Sequence, residues 1–172
     1  GEPVIRTAVG RAMKEMGRQF VLGETITAAM DRAKDQEAEG YTYSYDMLGE
    51  AARTEADAQG YLKAYTDAII AAGSSPTGTD IRDRPGVSVK LSALFARYEY
   101  PQKARVMEIL VPRLVGLAKL AAEVGIGLNI DAEEADRLDL SLDVIEAVLS
   151  DKRLAGWDGF GVVVQAYSKR AP

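Results

Sequence analysis

Gly127-Leu-Asn-Ile-Asp-Ala-Glu-Glu-Ala135 joins a short apolar run to three carboxylates, Asp131, Glu133 and Glu134. The apolar run is typical of a buried strand, and residues with a helical pattern follow it. In α/β barrels and doubly wound sheets, catalytic and ligand-binding sites lie at the carboxyl ends of the strands, so a charged residue there is a candidate site residue. The stretch therefore predicts a strand followed by a helix, with a site at the strand end.

Three other stretches have the same arrangement. Residues 41–46 alternate aromatic and small polar side chains, and residues 87–91 and 160–165 are short apolar runs. Helical patterns lie between them, so the predicted order from residue 41 is β-α-β-α-β-α-β. The polar strand-end residues are roughly 35–45 residues apart, which suits right-handed crossovers in a parallel sheet.

Length limits how much of a barrel the chain can form. The chain has 172 residues, and a complete eight-stranded barrel typically has about 250. Four strands correspond to half a barrel. The chain begins without Met and stops directly after a strand pattern, so we expect a fragment.

Residues 1–40 have the pattern of two helices, the first ending near Gly23. We expect the apolar side chains of this segment, including Met13, Met16 and Phe20, to pack in a core. The predicted domain organisation is a helical segment over residues 1–40 followed by a barrel segment over residues 41–172.

Local signals place individual helix ends. Thr54-Glu-Ala-Asp57 has the form of a capping box. A long helix is expected from about residue 101 to Val124, ended by Gly125, and Pro112 should kink or break it. Another helix is expected from Leu138 to Leu149.

Composition narrows the class of protein. The net charge of −5 argues against a nucleic-acid surface, and no apolar run approaches the 18 or so residues of a membrane span. The sequence shows no secretory signal and no cysteine, which fits a cytoplasmic protein. It has no histidine, so acid–base or metal chemistry must use other groups, or a cofactor must supply the reactive group.

The carboxyl ends of parallel strands share one face, so we expect their polar residues to converge. Each has a simpler interpretation as well: a strand-end Asp can cap a helix, Lys90 can be a surface charge, and Glu133 and Glu134 can begin a helix. Gln165 follows three valines, and a buried amide needs partners. The converging residues would be Asp46, Glu50, Lys90, Asp131 and Gln165.

Several kinds of site are excluded by the absence of GxGxxG, Walker and EF-hand patterns. A magnesium site built only from carboxylates, with Asp46, Asp131 and Glu133 as ligands, stays possible. The residues alone support a mixed-charge site at the strand ends that holds either a cofactor or an anionic small molecule.

Four motifs at these strand ends resemble the proline dehydrogenase domain of bacterial proline utilization A, and the resemblance covers essentially the whole chain. The motifs are Tyr43-Ser-Tyr-Asp-Met-Leu-Gly-Glu50, Val89-Lys-Leu-Ser-Ala-Leu94, Asn129-Ile-Asp-Ala-Glu-Glu-Ala-Asp-Arg-Leu138 and Gln165-Ala-Tyr-Ser-Lys-Arg170. The resemblance implies a distorted (βα)₈ TIM-like barrel, of which this chain would hold the first four βα units. It also implies noncovalent FAD, oxidation of L-proline to Δ1-pyrroline-5-carboxylate in proline catabolism, and electron transfer to a membrane quinone.

The resemblance also implies roles for individual residues. Lys90 would pair with the carboxylate of proline, and Asp46 would lie close by as a second substrate-binding residue. Glu50 resembles the acid that pairs with a substrate-binding arginine and gates the site. The implied catalytic set is therefore Lys90, Asp131 and Glu50.

The implied flavin site uses four residues. Asp131 and Ala132 would lie beside the flavin, and Val163 and Gln165 would contact the isoalloxazine ring. Hydride transfer to a flavin needs no histidine, so the absence of that residue agrees with this chemistry.

The family's later strands and last helix supply further arginines and a stretch that holds FAD, which this sequence lacks. The remaining half of the barrel is therefore an expected partner, and we expect the chain alone to hold FAD poorly and not to oxidise proline. A fused pyrroline-5-carboxylate (aldehyde) dehydrogenase domain and peripheral association with the inner face of the plasma membrane are further expectations.

Two alternatives remain. One is another barrel enzyme, such as a lyase or aldolase, that uses Asp131 together with Lys90 as a base or Schiff-base former. The other is a noncatalytic segment whose exposed barrel half docks a partner.

Overall fold

The computed structural model describes residues 2–17, 20–75, 78–169 and 171. Residues 76 and 77, between the first and second βα units in the sequence, and Arg170, the last residue of the fourth motif, lie outside the described residues. The chain divides into two compact units, Gly1–Tyr41 and Thr42–Pro172.

The first unit contains two helices, α1 (Glu2–Gly17) and α2 (Ile26–Glu37). The first therefore ends at Gly17 rather than near Gly23. Thr25 caps α2, since its side chain accepts a hydrogen bond from the Ala28 N–H at 3.2 Å. Arg32 donates to the carbonyls of Val21 and Leu22, both at 3.3 Å, and so holds the segment before α2.

The large apolar side chains described in α1, together with Phe20, are exposed, so the prediction that they pack in a core is wrong for these residues. Met13, Met16 and Phe20 are 68%, 66% and 85% exposed. Within this unit the residues described as buried are Ala29 and Ala33. Two short helices offer too little apolar surface to each other to enclose large side chains.

The second unit is built on a four-stranded parallel sheet with the strand order β1-β2-β3-β4. The strands are β1 (Ser44–Asp46), β2 (Gly86–Val89), β3 (Gly127–Ile130) and β4 (Phe160–Val162). The predicted βαβαβαβ order is confirmed. Three of the strands are shorter than predicted, because residues at their ends leave the ladder for loops or caps.

Helices connect the strands. They are α3 (Glu55–Gly73), α4 (Leu91–Leu94), α5 (Lys103–Val124) and α6 (Leu138–Leu149), with short 3₁₀-helices at Tyr100–Gln102, Ala135–Arg137 and Lys152–Leu154. The predicted capping box at the start of α3 is present, and Gly125 ends α5 in the left-handed region with φ 74°.

Pro112 lies inside α5 without interrupting it, so the expected break is absent. Proline lacks the N–H that would bond the carbonyl four residues earlier, at Glu108. Both residues are exposed, so water can hydrate this carbonyl.

The two faces of the sheet differ in chemistry. One face carries large apolar side chains, all at most 6% exposed: Tyr45, Val87, Val89, Leu128 and Ile130. They pack with buried side chains of α3 and α5, including Tyr65, Ile69, Leu110 and Leu114. The core of the unit therefore lies between the sheet and these helices.

The other face carries small and polar side chains. The Ser44 and Ser88 hydroxyls lie 2.9 Å apart, and the Asn129 amide donates to the Ser44 hydroxyl at 3.2 Å. Gly161 lies against Asn129: a Cβ at that position would lie 1.8 Å from the Asn129 Oδ1, so the Asn129 amide would have to turn away. This polar face leads to the charged residues at the carboxyl ends of the strands. In the described ranges, no helix combines the length and apolarity needed to cross a membrane.

Candidate functional site

Lys90 brings together the carboxyl ends of three strands. It follows β2 and precedes α4, and its Nζ donates to Asp46 Oδ1 at 2.5 Å and to Asp131 Oδ2 at 3.0 Å. The Lys90 and Asp131 side chains are 16% and 19% exposed, whereas Asp46 is 48% exposed. The structure thus assembles Asp46, Lys90 and Asp131 into one ion-paired cluster.

The environment keeps Lys90 charged. Burial lowers the pKa of the Lys90 ammonium, but its hydrogen bonds to Asp46 and Asp131 and their negative charges together raise it by more, so its pKa lies well above the ordinary value. The Lys90 N–H donates to the Tyr65 hydroxyl at 3.1 Å, and burial raises the pKa of Tyr65 to about 12. Lys90 is therefore a protonated cation with a fixed backbone.

The cluster keeps hydrogen-bonding capacity. An ammonium has three donors, and two of those on Lys90 are used within the described chain. The cluster carries one positive and two negative groups, so it can bind a ligand that presents both a carboxylate and a cationic amine.

Glu133 forms a second bridge between the ends of β2 and β3. Its carboxylate accepts hydrogen bonds from the Ser92 N–H at 3.0 Å and from the Ser92 hydroxyl. Burial raises the pKa of Glu133, and the Ser92 hydrogen bonds only partly oppose this. The interpretation of Glu133 as a helix-start residue is therefore wrong. Glu134 does precede the 3₁₀-helix and pairs with Arg137 at 3.2 Å.

Glu50 is not part of the ion-paired Lys90 cluster in the portion of the chain that the structure describes. It is an exposed residue of the loop after β1. Within the described ranges, no hydrogen bond or ion pair joins its side chain to Lys90. The neighbouring N–H groups of Ala51 and Ala52 bond to Ser92 instead.

The proposed flavin-site residues line one cavity of about 240 Å³. Val163 continues the pairing beyond β4, since its N–H bonds the Ile130 carbonyl at 2.9 Å. The Gln165 amide donates to the Ala132 carbonyl at 3.3 Å and accepts from the Tyr167 hydroxyl at 3.1 Å. Gln165 therefore has protein partners and one amide hydrogen still able to donate. Asp131 lines the same cavity and so links it to the Lys90 cluster.

The proposed magnesium ligands are not assembled. Asp46 and Asp131 share the Lys90 ammonium between them, while Glu133 turns to Ser92. Among the residues that the structure describes, no group of three or more Asp, Glu, His or Cys side chains is placed to hold a metal ion.

Sequence reasoning missed Ser92 and the role of Glu133. A signal for both was present: Lys90 and Asp131 are 41 residues apart, and so are Ser92 and Glu133. In a parallel sheet of fixed register, paired residues on two neighbouring strands all have the same sequence separation. Every second pair lies on the same face of the sheet. Tyr98 was also missed; it is 3% exposed and lies under the Arg137 guanidinium, 5.7 Å from ring centre to carbon.

A family model described as proline dehydrogenase matches residues 29–172. The chain belongs to the proline dehydrogenase family. Among curated relatives, the bifunctional protein PutA of Salmonella typhimurium is 56% identical over 172 residues, all of this chain and 13% of that protein. The bifunctional protein PutA of Rhizobium meliloti is also 56% identical, over all of this chain and 14% of that protein.

Solved structures of proline dehydrogenase relatives agree with this fold. The structure of a mutant of Bradyrhizobium japonicum proline utilization A is 54% identical to this chain in sequence and has a TM-score of 0.82. The match covers 99% of this chain and 17% of that chain. Proline utilization A from Bdellovibrio bacteriovorus is 24% identical with a TM-score of 0.87, covering 98% of this chain and 19% of that chain, and shows the fold alone. The chain spans only about 13% of the length of the curated relatives it matches.

Proposed function

We propose that the chain forms part of an FAD-dependent proline dehydrogenase that oxidises L-proline to Δ1-pyrroline-5-carboxylate. The observation that carries this proposal is the Lys90 ammonium, held by Asp46 and Asp131 beside the cavity lined by Ala132, Val163 and Gln165. Family membership supports the same reaction.

Proline is a zwitterion whose charges match those of the cluster. The remaining donor of the Lys90 ammonium would bind the substrate carboxylate, a charge-assisted hydrogen bond. Asp131 and Asp46 would face the cationic amine. Because Lys90 already lies between two carboxylates, no side chain has to move to create this pattern of charges.

The cavity fits one part of FAD. Its volume of about 240 Å³ is below the roughly 300–1,000 Å³ of ligand pockets, so these residues would hold the isoalloxazine ring rather than the whole cofactor. Val163 and Ala132 offer apolar contact, and the free amide hydrogen of Gln165 can donate to a ring heteroatom. Bound FAD would supply the acceptor for the two electrons that proline loses.

We also propose that residues 41–172 form the first half of a TIM-like barrel and that residues 1–40 form a helical segment before it. One observation supports this: the strands lie in sequential order. With the right-handed crossovers that parallel strands nearly always have, this order would place all connecting helices on one face. A doubly wound sheet would reverse the order and cover both faces.

The partners follow from the same proposal. Electrons would pass to a membrane quinone, with the protein associated peripherally with the inner face of the membrane. A fused pyrroline-5-carboxylate dehydrogenase would consume the product, which agrees with the name "bifunctional" given to the relatives.

The lyase or aldolase alternative needs Lys90 as a neutral amine. The raised pKa of Lys90, caused by its two carboxylate partners against the effect of burial, keeps it protonated. An ammonium cannot attack a carbonyl, so no observation favours this alternative.

A segment exchange tests the proposal. This chain would replace the matching 172 residues of the Salmonella typhimurium relative, and proline-dependent dye reduction and the flavin absorbance spectrum would be measured beside the unmodified relative. We expect a yellow enzyme that oxidises proline. An exchanged enzyme that binds flavin but leaves proline unoxidised would contradict the proposal.

A further inference from the structure

The loop that carries Glu50 has two residues with positive φ, of which glycine suits one and alanine does not suit the other. Gly49 has φ 120°, and a Cβ there would lie 2.5 Å from the Tyr61 ring. Ala51 has φ 53°, the left-handed region, which is unfavourable for a residue with a Cβ. Glu50 lies between these two residues, so its direction depends on what holds them.

Ser92 holds the loop. Its hydroxyl accepts a hydrogen bond from the Ala51 N–H at 3.0 Å, and its carbonyl accepts one from the Ala52 N–H at 2.9 Å. Ser92 is 2% exposed, so these bonds are shielded from water. They offset the unfavourable conformation of Ala51.

Glu133 in turn orients Ser92. A serine hydroxyl has one hydrogen to donate, and it is given to Glu133, which leaves the lone pairs free for the Ala51 N–H. The other carboxylate oxygen accepts the Ser92 N–H, one of the α4 amides that lack a partner within the helix. The direction of the hydroxyl is therefore set by Glu133.

These contacts connect two parts of the proposed site. Ser92 lies two residues after Lys90, and Glu133 lies two residues after Asp131, so both pairs bridge the same strand ends at a separation of 41 residues. We propose that Ser92 and Glu133 are positioning residues that fix the backbone immediately after Glu50 relative to the Lys90–Asp131 ion pair. The catalytic consequence rests on the proposed function, because only the family resemblance gives Glu50 a role at the substrate site.

Amide hydrogen exchange of the full chain tests the structural part, with Ala51 and Ala52 as matched neighbours. In Ser92→Ala the Ala51 N–H loses its acceptor, whereas the Ala52 N–H keeps the Ser92 carbonyl. We expect exchange at Ala51 to accelerate about 10-fold and exchange at Ala52 to change less. Glu133→Gln keeps the size of the side chain and should accelerate Ala51 exchange by a smaller factor.

Glu134→Gln is the matched control, because this neighbouring carboxylate is 61% exposed and pairs with Arg137 instead. It should leave Ala51 exchange unchanged. Unchanged Ala51 exchange in Ser92→Ala and Glu133→Gln, or an equal acceleration in Glu134→Gln, would overturn the proposal.

The catalytic consequence is measured in the segment-exchanged enzyme, per bound flavin. We expect Ser92→Ala to raise the Michaelis constant for proline about 5-fold and to leave kcat nearly unchanged. A general loss of structure would instead lower the amount of bound flavin without changing the Michaelis constant.

The two arms separate the two failures. If Ser92→Ala accelerates Ala51 exchange but leaves the Michaelis constant unchanged, Ser92 does not position Glu50 for substrate binding. An exchanged enzyme that never oxidises proline, with Ala51 exchange responding as expected, overturns the proposed function and leaves the structural part supported.

Discussion

Two bridges join the ends of β2 and β3 at the same sequence separation, and they use their hydrogen-bonding capacity differently. Lys90 gives two donors to Asp131 and Asp46 and keeps a third. Ser92 and Glu133 direct their polar groups at each other and at Ala51. The first bridge is therefore suited to binding a ligand, and the second to holding the fold around it.

Removing the Lys90 ammonium should break the first bridge and give the largest effect. In the segment-exchanged enzyme, we expect Lys90→Ala to lower kcat/KM for proline about 100-fold, mainly through the Michaelis constant, because a charge-assisted hydrogen bond is lost. Steady-state kinetics would measure this. Lys63→Ala is the control, since Lys63 pairs with Asp67 on the exposed side of α3. An unchanged Michaelis constant would argue against the carboxylate-binding role.

Removing the Glu133 carboxylate should break the second bridge and reduce stability. Glu133→Ala leaves the Ser92 N–H and hydroxyl without their acceptor, so we expect the free energy of unfolding to fall by about 2 kcal/mol. Urea denaturation would measure it. Glu134→Ala removes an exposed surface pair and should cost less than about 0.5 kcal/mol. Equal losses in both variants would show that the Ser92 contact contributes nothing.

Tyr65 supports the first bridge through the hydrogen bond that its hydroxyl accepts from the Lys90 backbone N–H. Tyr65→Phe removes the hydroxyl that accepts the Lys90 N–H in a buried setting, so we expect a loss of about 1 kcal/mol in unfolding free energy. Tyr61→Phe, also on α3, is a comparison variant whose hydroxyl does not bond Lys90. A fully stable Tyr65→Phe chain would indicate that Lys90 does not depend on this contact.

The pH dependence of stability should differ between the two bridges. We expect this to be the smallest of the effects. Glu133 has a folded pKa raised above its ordinary 4.5, so its contribution is present below that value and is lost as pH rises through the folded pKa. Lys90 has a folded pKa raised above 10.5, so its contribution is fully present below 10.5. From pH 4 upward, the native chain should therefore lose stability relative to Glu133→Gln, while Lys90 contributes a constant amount. Parallel stability curves over this range would contradict the expected role of burial at Glu133.

The sequence predicts the parts of this structure that local patterns decide. The capping box at Thr54, the end of α5 at Gly125 and the order of strands and helices each depend on neighbouring residues or simple periodicity. The pairing of Lys90 with Asp46 and Asp131 follows in outline, because parallel strand ends share an edge.

The remaining features depend on contacts between distant segments. Glu133 resembles a helix-start residue until the register brings it opposite Ser92. The left-handed Ala51 has no sequence signal, since alanine carries no preference for that conformation. The exposure of Met13 and Phe20 cannot be read from periodicity, which shows an apolar helix face without showing what covers it.

The register of the sheet also affects how quickly the fold can form. The Lys90–Asp131 and Ser92–Glu133 bridges each close a segment of 41 residues, and the loss of chain entropy comes before any contact at the strand ends can compensate. By contrast, α3 has a capping box that is complete within four residues. We therefore expect the helices to form early in refolding and the strand ends to come together in a later, slower phase.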